Sequence, residues 1–265
     1  MDIKVYRRII ISKIVLPVLL LSLIFSGCSS FNIFSKSEKP KASPEQLYEQ
    51  ASVEFKDNNY KKAQEIFLKL KEEYPLHELA VLAEIGIANS LYSDKEYAEA
   101  ESAYSDFVSL HPTNENVPYA LYQLGMCHYN EIGDIDRDQT ETIKAIKEWE
   151  KLVARYPENQ YSTIARKLIL ECKKKLAEHE FYVGRFYLKQ KKYKAALARF
   201  ETVMTDYANV GLADKVEPYI NETKMKIAEE EKIKLKKEAE EAKNKNKSTT
   251  KKSLSGFFFW SKDSE

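Results

Sequence analysis

"YKKAQEIFLKLKEEYP", residues 60–75, decides the fold. Ala63, Phe67 and Leu70 are spaced four and three apart, so on an α-helix they share one face, and Pro75 beyond them cannot continue that helix. The pattern returns at Ala100, Ala145 and Ala196. Four residues after each stands an aromatic (Tyr104, Trp149, Phe200), and seven after stands an apolar residue (Phe107, Leu152, Val203). Tyr74, His111, Tyr156 and Tyr207 follow at eleven; Pro75, Pro112, Pro157 and, in the last copy, Ala208 follow at twelve. Tyr60, Tyr97, Thr142 and Tyr193 stand three before. Four aligned copies mean an internal repeat.

The small alanine lets the preceding helix approach, and the aromatic fills the gap between hairpins. Ala-x3-aromatic followed by Pro marks the second helix of a tetratricopeptide (TPR) hairpin. The expected fold is all-α, a TPR helical-hairpin superhelix of about four repeats plus a C-terminal helix. Successive alanines are 37, 45 and 51 residues apart, against about 34 for a simple TPR, so the variation lies ahead of each second helix. In the third copy "YALYQLGMCHYN" is the first helix, with Leu124-Gly125 at the Leu-Gly position, and the loop "EIGDIDRDQT" follows. Ahead of the fourth, "YSTIARKLILECKKKLAEHEFYVGRFYLKQ" has no Pro and reads as one long helix; its extra length is close to a whole number of turns, which keeps the buried stripe in register.

The amino terminus is a different object. Lys4, Arg7, Arg8 and Lys13 precede an apolar run from Ile14 to Ile24, too short to span a bilayer, and then Ser26-Gly27-Cys28. That layout is a secretory signal, and the cysteine after small residues resembles a bacterial lipobox, with Phe25 where Leu is more usual. It predicts a signal peptide over 1–27, lipidation of Cys28 and a tether over 28–43; a plain signal or an uncleaved anchor is the competing reading. Several acyl chains hold a protein to a membrane stably where one does not. Removing residues 1–27 lowers Lys+Arg from 42 to 38 and Asp+Glu from 41 to 40. Near-neutrality gives no electrostatic footprint for nucleic acid.

Catalytic constellations are missing. No His-Glu-x-x-His surrounds His77, His111, His128 or His179, and there is no phosphate loop or nucleophile elbow. "DIDRD" from Asp134 starts like a calcium loop, but Gln139 stands where the loop needs Gly and Ala145 where it needs Glu; it reads as a polar loop with a helix cap. No enzyme, cofactor or metal is expected. Cys127 and Cys172 lie in predicted helices, either as buried thiols or, in an oxidising periplasm, as a disulfide.

Lipobox, tether and TPR hairpins together resemble the BamD family, the TPR lipoproteins of the outer-membrane β-barrel assembly machine. The stretches "YKKAQEIFLKLKEEYP", "HPTNENVPYALYQLG", "LVARYPENQYSTIARKL" and "LAEHEFYVGRFYLK" carry the resemblance over roughly residues 44–225. It departs in the third-repeat loop, in the degenerate fifth hairpin and in the tail. The resemblance implies an outer-membrane lipoprotein facing the periplasm. Its partners would be the periplasmic domains of the barrel-forming assembly subunit and unfolded outer-membrane β-barrel proteins. A TPR lipoprotein serving secretin or peptidoglycan assembly is the alternative. In TPR register, Tyr48, Phe55, Asn89, Tyr92, Tyr119, Tyr122, Met126 and Tyr129 face the concave groove and are candidates to hold a client segment; packing between repeats is the competing role. Arg199, in "ALARFETV", matches an arginine that the family uses for docking to the barrel subunit.

After the TPR domain (44–225) comes a tail, 226–265. It opens as a Glu/Lys helix with opposite charges at i,i+4, passes through "NKNKSTTKKS", whose composition predicts disorder, and ends in "GFFFWSKDSE". The aromatic end reads as a membrane-interface contact, as a partner motif, or as a segment tucked against the repeats.

Overall fold

The computed structural model describes residues 41–260. The expected signal peptide, Cys28 and nearly all of the expected tether lie outside the described part, as do residues 261–265. Among the described residues every regular element is helical: α1 (Pro44–Lys56), α2 (Tyr60–Glu73), α3 (Glu78–Ser93), α4 (Tyr97–Leu110), α5 (Val117–Asn130), α6 (Thr140–Arg155), α7 (Gln160–Lys189), α8 (Tyr193–Asp206), a 3-10 turn at Ala208–Val210, and α9 (Ala213–Trp260). Each helix packs chiefly on its neighbours in sequence. α1/α2, α3/α4, α5/α6 and the second half of α7 with α8 are the four TPR hairpins.

The four repeat alanines, Ala63, Ala100, Ala145 and Ala196, are all 0% exposed, and Phe67, Tyr104, Trp149 and Phe200 are buried with them. Each aromatic needs a small residue on the helix it meets. A Cβ built on Gly125 would come 2.1 Å from Trp149 Nε1, and one on Gly184 would come 2.5 Å from Phe200. Gly184 lies nine residues before Tyr193, and the same count back from Tyr97 and Tyr60 reaches Ala88 and Ala51, both fully buried.

Three of the four hairpins turn alike. Asn59, Glu96 and Lys192 donate their backbone N–H to the carbonyls five residues back, of Glu54, Leu91 and Tyr187, and the residues before them, Asn58, Lys95 and Lys191, adopt the left-handed conformation with φ of 62°, 65° and 58°. This is the Schellman termination, usually made by glycine. The third hairpin uses its long loop instead. Asp138 Oδ1 accepts from the N–H of Thr140 at 2.9 Å, the cap expected of "DIDRD", and His179 on α7 holds the loop by a 2.6 Å bond between Nδ1 and the Ile135 carbonyl.

The 30-residue α7 is one continuous helix. Its buried stripe, Ser162, Ala165, Cys172, Leu176, Ala177, Phe181 and Gly184, serves two cores: one runs from Ile85 to Leu176 and the other from Ala177 to Ile220. Cys127 and Cys172 are free buried thiols of the first core, pushed up to about 12 and about 11 by burial. The pair is therefore not a disulfide in this structure.

α9 takes the place of a fifth first helix, packing Val216, Ile220 and Thr223 inward. From Ala228 to Lys245 every residue is exposed. One expectation is corrected here: the helix continues through "NKNKSTTKKS" to Trp260. Neither Pro nor Gly interrupts the chain between Pro218 and Gly256, so the Glu/Lys/Ala-rich helix ahead of this stretch meets no breaker within it.

Candidate functional site

The superhelix leaves a cleft of about 430 Å³ at its amino-terminal end, walled by the first helices and floored by α2. On α1, Leu47 and Ala51 face inward, which turns Tyr48, Ser52 and Phe55, spaced i, i+4, i+7, toward the cleft. Phe67 reaches it from α2 because Gly86 on α3 has no side chain to block it: a Cβ there would lie 2.7 Å from the Phe67 ring. Asn89, Tyr119 and Tyr161 complete the wall from α3, α5 and α7. Tyr48 meets Phe67 edge-on at 5.6 Å.

Polarity in the cleft centres on Asn89. Its Oδ1 accepts from the hydroxyls of Tyr104 at 2.5 Å and Tyr119 at 2.7 Å, and neither bond uses Nδ2, a double donor. Gln123 Nε2 donates to the Tyr119 hydroxyl at 2.9 Å. Burial raises both the Tyr104 and Tyr119 hydroxyls above their ordinary values, and their two donated bonds orient the Asn89 amide oxygen toward them. The result is an aromatic-walled cleft with a fixed amide donor, chemistry that suits an apolar or aromatic side chain next to a carbonyl or carboxylate.

The eight groove candidates divide. Tyr48, Phe55, Asn89 and Tyr119 line this cleft. Tyr122 adjoins it by stacking on Tyr161 at 5.4 Å and 26°. Tyr92, Met126 and Tyr129 are half-buried and packed on the first core; the Tyr92 hydroxyl accepts from Asn130 at 2.7 Å, and the Tyr129 hydroxyl donates to Glu171 at 2.8 Å. Those bonds join neighbouring repeats. Tyr161 is missing from the candidates because the sequence shows this segment as one long helix, with no groove position assigned in its first half. Its signal is the turn pattern: Tyr161 stands sixteen after Ala145, as Asn116 stands sixteen after Ala100, and both line the cleft.

Arg199 is exposed on α8, and its Nη1 lies 3.0 Å from both carboxylate oxygens of Glu180 on α7. A second charged cluster clamps the middle hairpins. Buried His128 on α5 places Nδ1 2.8 Å from Glu141 of α6 and Nε2 3.5 Å from Glu101 of α4. Among the described residues no group of three or more His, Cys, Asp or Glu side chains is placed to hold a metal ion, and no helix is long and apolar enough to cross a membrane.

Known proteins are similar to this chain over about three quarters of its length. The family model described as "YfiO: Outer membrane lipoprotein" matches residues 40–244. A curated relative from Rickettsia prowazekii, "Outer membrane protein assembly factor BamD", is 32% identical over 197 residues, 74% of this chain and 77% of that protein. The relatives of the same name from Caulobacter vibrioides and Vibrio cholerae are 29% and 28% identical and cover 77% and 74% of this chain, at 70% and 84% of their own lengths. With the family match spanning all four hairpins and α9 as far as residue 244, the chain belongs to the YfiO family of outer membrane lipoproteins.

Proposed function

We propose that this protein is a lipid-anchored scaffold of outer-membrane β-barrel assembly, holding unfolded barrel proteins in its amino-terminal cleft and coupling them to the barrel-forming subunit through its carboxy-terminal hairpin. The curated relatives named as outer membrane protein assembly factors support the process. The observation that carries the binding mode is the cleft itself: Tyr48, Phe55, Phe67 and Tyr119 around the Asn89 amide. An extended client segment with an aromatic residue near its end would seat the ring among the tyrosines and a backbone carbonyl or terminal carboxylate on Nδ2. Anchoring through Cys28 keeps the scaffold at the inner face of the outer membrane.

The test uses a fluorescent peptide with an aromatic carboxy-terminal residue. Asn89→Ala and Tyr48→Ala should each weaken its binding about tenfold, the scale of one lost hydrogen bond or aromatic contact, while helicity and melting change little for Tyr48→Ala. Unchanged affinity in both variants would sink the cleft reading. Docking is read separately, by co-purification of a large β-barrel protein with periplasmic domains. Arg199→Glu should reduce recovery and Glu180→Gln, which releases Arg199, should not. Recovery of a secretin or of cell-wall enzymes in place of the barrel protein would assign the scaffold to a different envelope process.

A further inference from the structure

The carboxy-terminal segment has no task in the scaffold just described. It begins where the family match ends, at residue 244, and it lies on the far part of α9. Glu231 still pairs with Lys194 of α8 at 3.7 Å, but every residue from Ala228 to Lys245 is exposed. At about 1.5 Å per residue, the helix carries Phe257 roughly 40 Å beyond Glu231. At that distance the aromatic end is out of reach of the hairpin on which α9 is seated.

Charge changes along the same path. Acids and bases alternate as far as Glu241; from Lys243 to Lys252 there are five lysines and no acid, and Phe257-Phe258-Phe259-Trp260 closes the helix. Four consecutive large apolar residues go right round a helix, at 100° each. A groove in a partner protein selects a stripe at i, i+3, i+4 and i+7; Leu254, Phe257 and Phe258 supply its first three positions, but Ser261 stands at the fourth and Phe259 and Trp260 fall outside it. A basic collar followed by an aromatic tip fits a surface that is anionic outside and apolar within.

We propose that residues 243–260 are a second membrane contact, in which the lysines bind anionic phospholipid headgroups and Phe257–Trp260 enter the interface, so that the scaffold is held to the bilayer at both ends of its chain. Lysines beside an anionic leaflet add attraction one by one, and tryptophan favours the headgroup region. Binding therefore requires both anionic lipid and low salt, whereas the amino-terminal anchor requires neither.

Trp260 supplies the probe. The chain has two tryptophans, and Trp149 is 0% exposed inside the third hairpin, out of reach of lipid. The membrane-extracted full chain is reconstituted into phosphatidylcholine vesicles with or without 30% phosphatidylglycerol, both with brominated acyl chains. Flotation scores the amino-terminal anchor, and quenching of tryptophan emission scores the tail, so that the two readings fail separately. Quenching should appear with phosphatidylglycerol and fall by roughly tenfold at high salt or when the five lysines are replaced by glutamine, with flotation and the circular dichroism melt unchanged. A chain that floats but is quenched in neither vesicle overturns the proposal, and points to a protein partner if Trp260 emission then shifts only on adding the barrel-forming subunit. Equal quenching in neutral and anionic vesicles overturns it too, because the lysines would then have no part, and a chain that does not float at all overturns both anchors.

Discussion

Gly125 shows how much a single hydrogen can carry. Trp149 cannot retreat from an added methyl, because its Nε1 donates to the Tyr122 carbonyl at 3.0 Å, and the new Cβ would lie 2.1 Å from that nitrogen. Gly125→Ala is expected to cost about 1–3 kcal/mol, the usual range for overpacking a filled core, read as a lower urea midpoint with little change in slope. Lys191 shows the opposite economy. It sits at φ 58° in a position where glycine or asparagine is at ease. Lys191→Asn should raise the melting temperature slightly, and Lys191→Val, β-branched and unsuited to positive φ, should lower it; the same sign for both would show that the turn is not strained.

At the scale of elements, the links between repeats follow one rule. Fourteen residues after each of the first three repeat alanines stands His77, Asn114 or Asn159, and each side chain accepts the N–H two residues on: Leu79 at 3.2 Å, Asn116 at 2.8 Å and Tyr161 at 2.9 Å. Proline ends one helix, and this turn leads into the next: His77 and Asn159 are N-caps of α3 and α7, while Asn114 makes the turn just ahead of α5. In the fourth copy Val210 stands at that position, and the chain makes a 3-10 turn and a left-handed Gly211 instead. Asn159→Ala should cost about 1 kcal/mol, detected as faster amide exchange in the first turn of α7. The clamp between α5 and α6 is pH-dependent. Burial raises the Glu141 pKa, but hydrogen bonds from Lys144 and His128 outweigh it, and the net shift is downward from 4.5. A depressed carboxylate stabilises the fold above its unfolded-state pKa and loses that contribution as pH falls through the folded value. Glu141→Gln should therefore destabilise at pH 7, and the gap from the unsubstituted chain should close as the pH falls below the ordinary glutamate range in parallel thermal melts.

Among the described residues, the helices from α3 onward pack into two cores threaded on one helix. Because α7 contributes Cys172 and Leu176 to one core and Phe181 and Gly184 to the other, damage on one side need not spread far, as expected of a quasi-one-dimensional stack. Phe200→Ala, at a fully buried site, should cost about 3–5 kcal/mol locally. Amide exchange should speed up in α8 and the start of α9 while α1 to α5 keep their protection and the cleft keeps its peptide affinity. Loss of protection throughout would mean that the repeats unfold as one unit.

What the residues determine by themselves is local. Period, proline and alanine spacing define the hairpins, and even the uninterrupted α7 can be read, because helical pattern and helix termination depend on neighbours within a few turns. The caps at fourteen were equally legible once the turns were aligned. The cleft was not. Which of eight half-buried candidates meet in it depends on how far each repeat rotates on the last. That rotation is set by side-chain volumes across interfaces, Phe67 on Gly86 and Tyr122 on Tyr161, between residues distant in sequence. Tertiary structure separated Tyr48, Phe55, Asn89 and Tyr119, which line the cleft, from Tyr92, Met126 and Tyr129, which do not, and brought Tyr161, of which the sequence shows only the turn position, to join the first group.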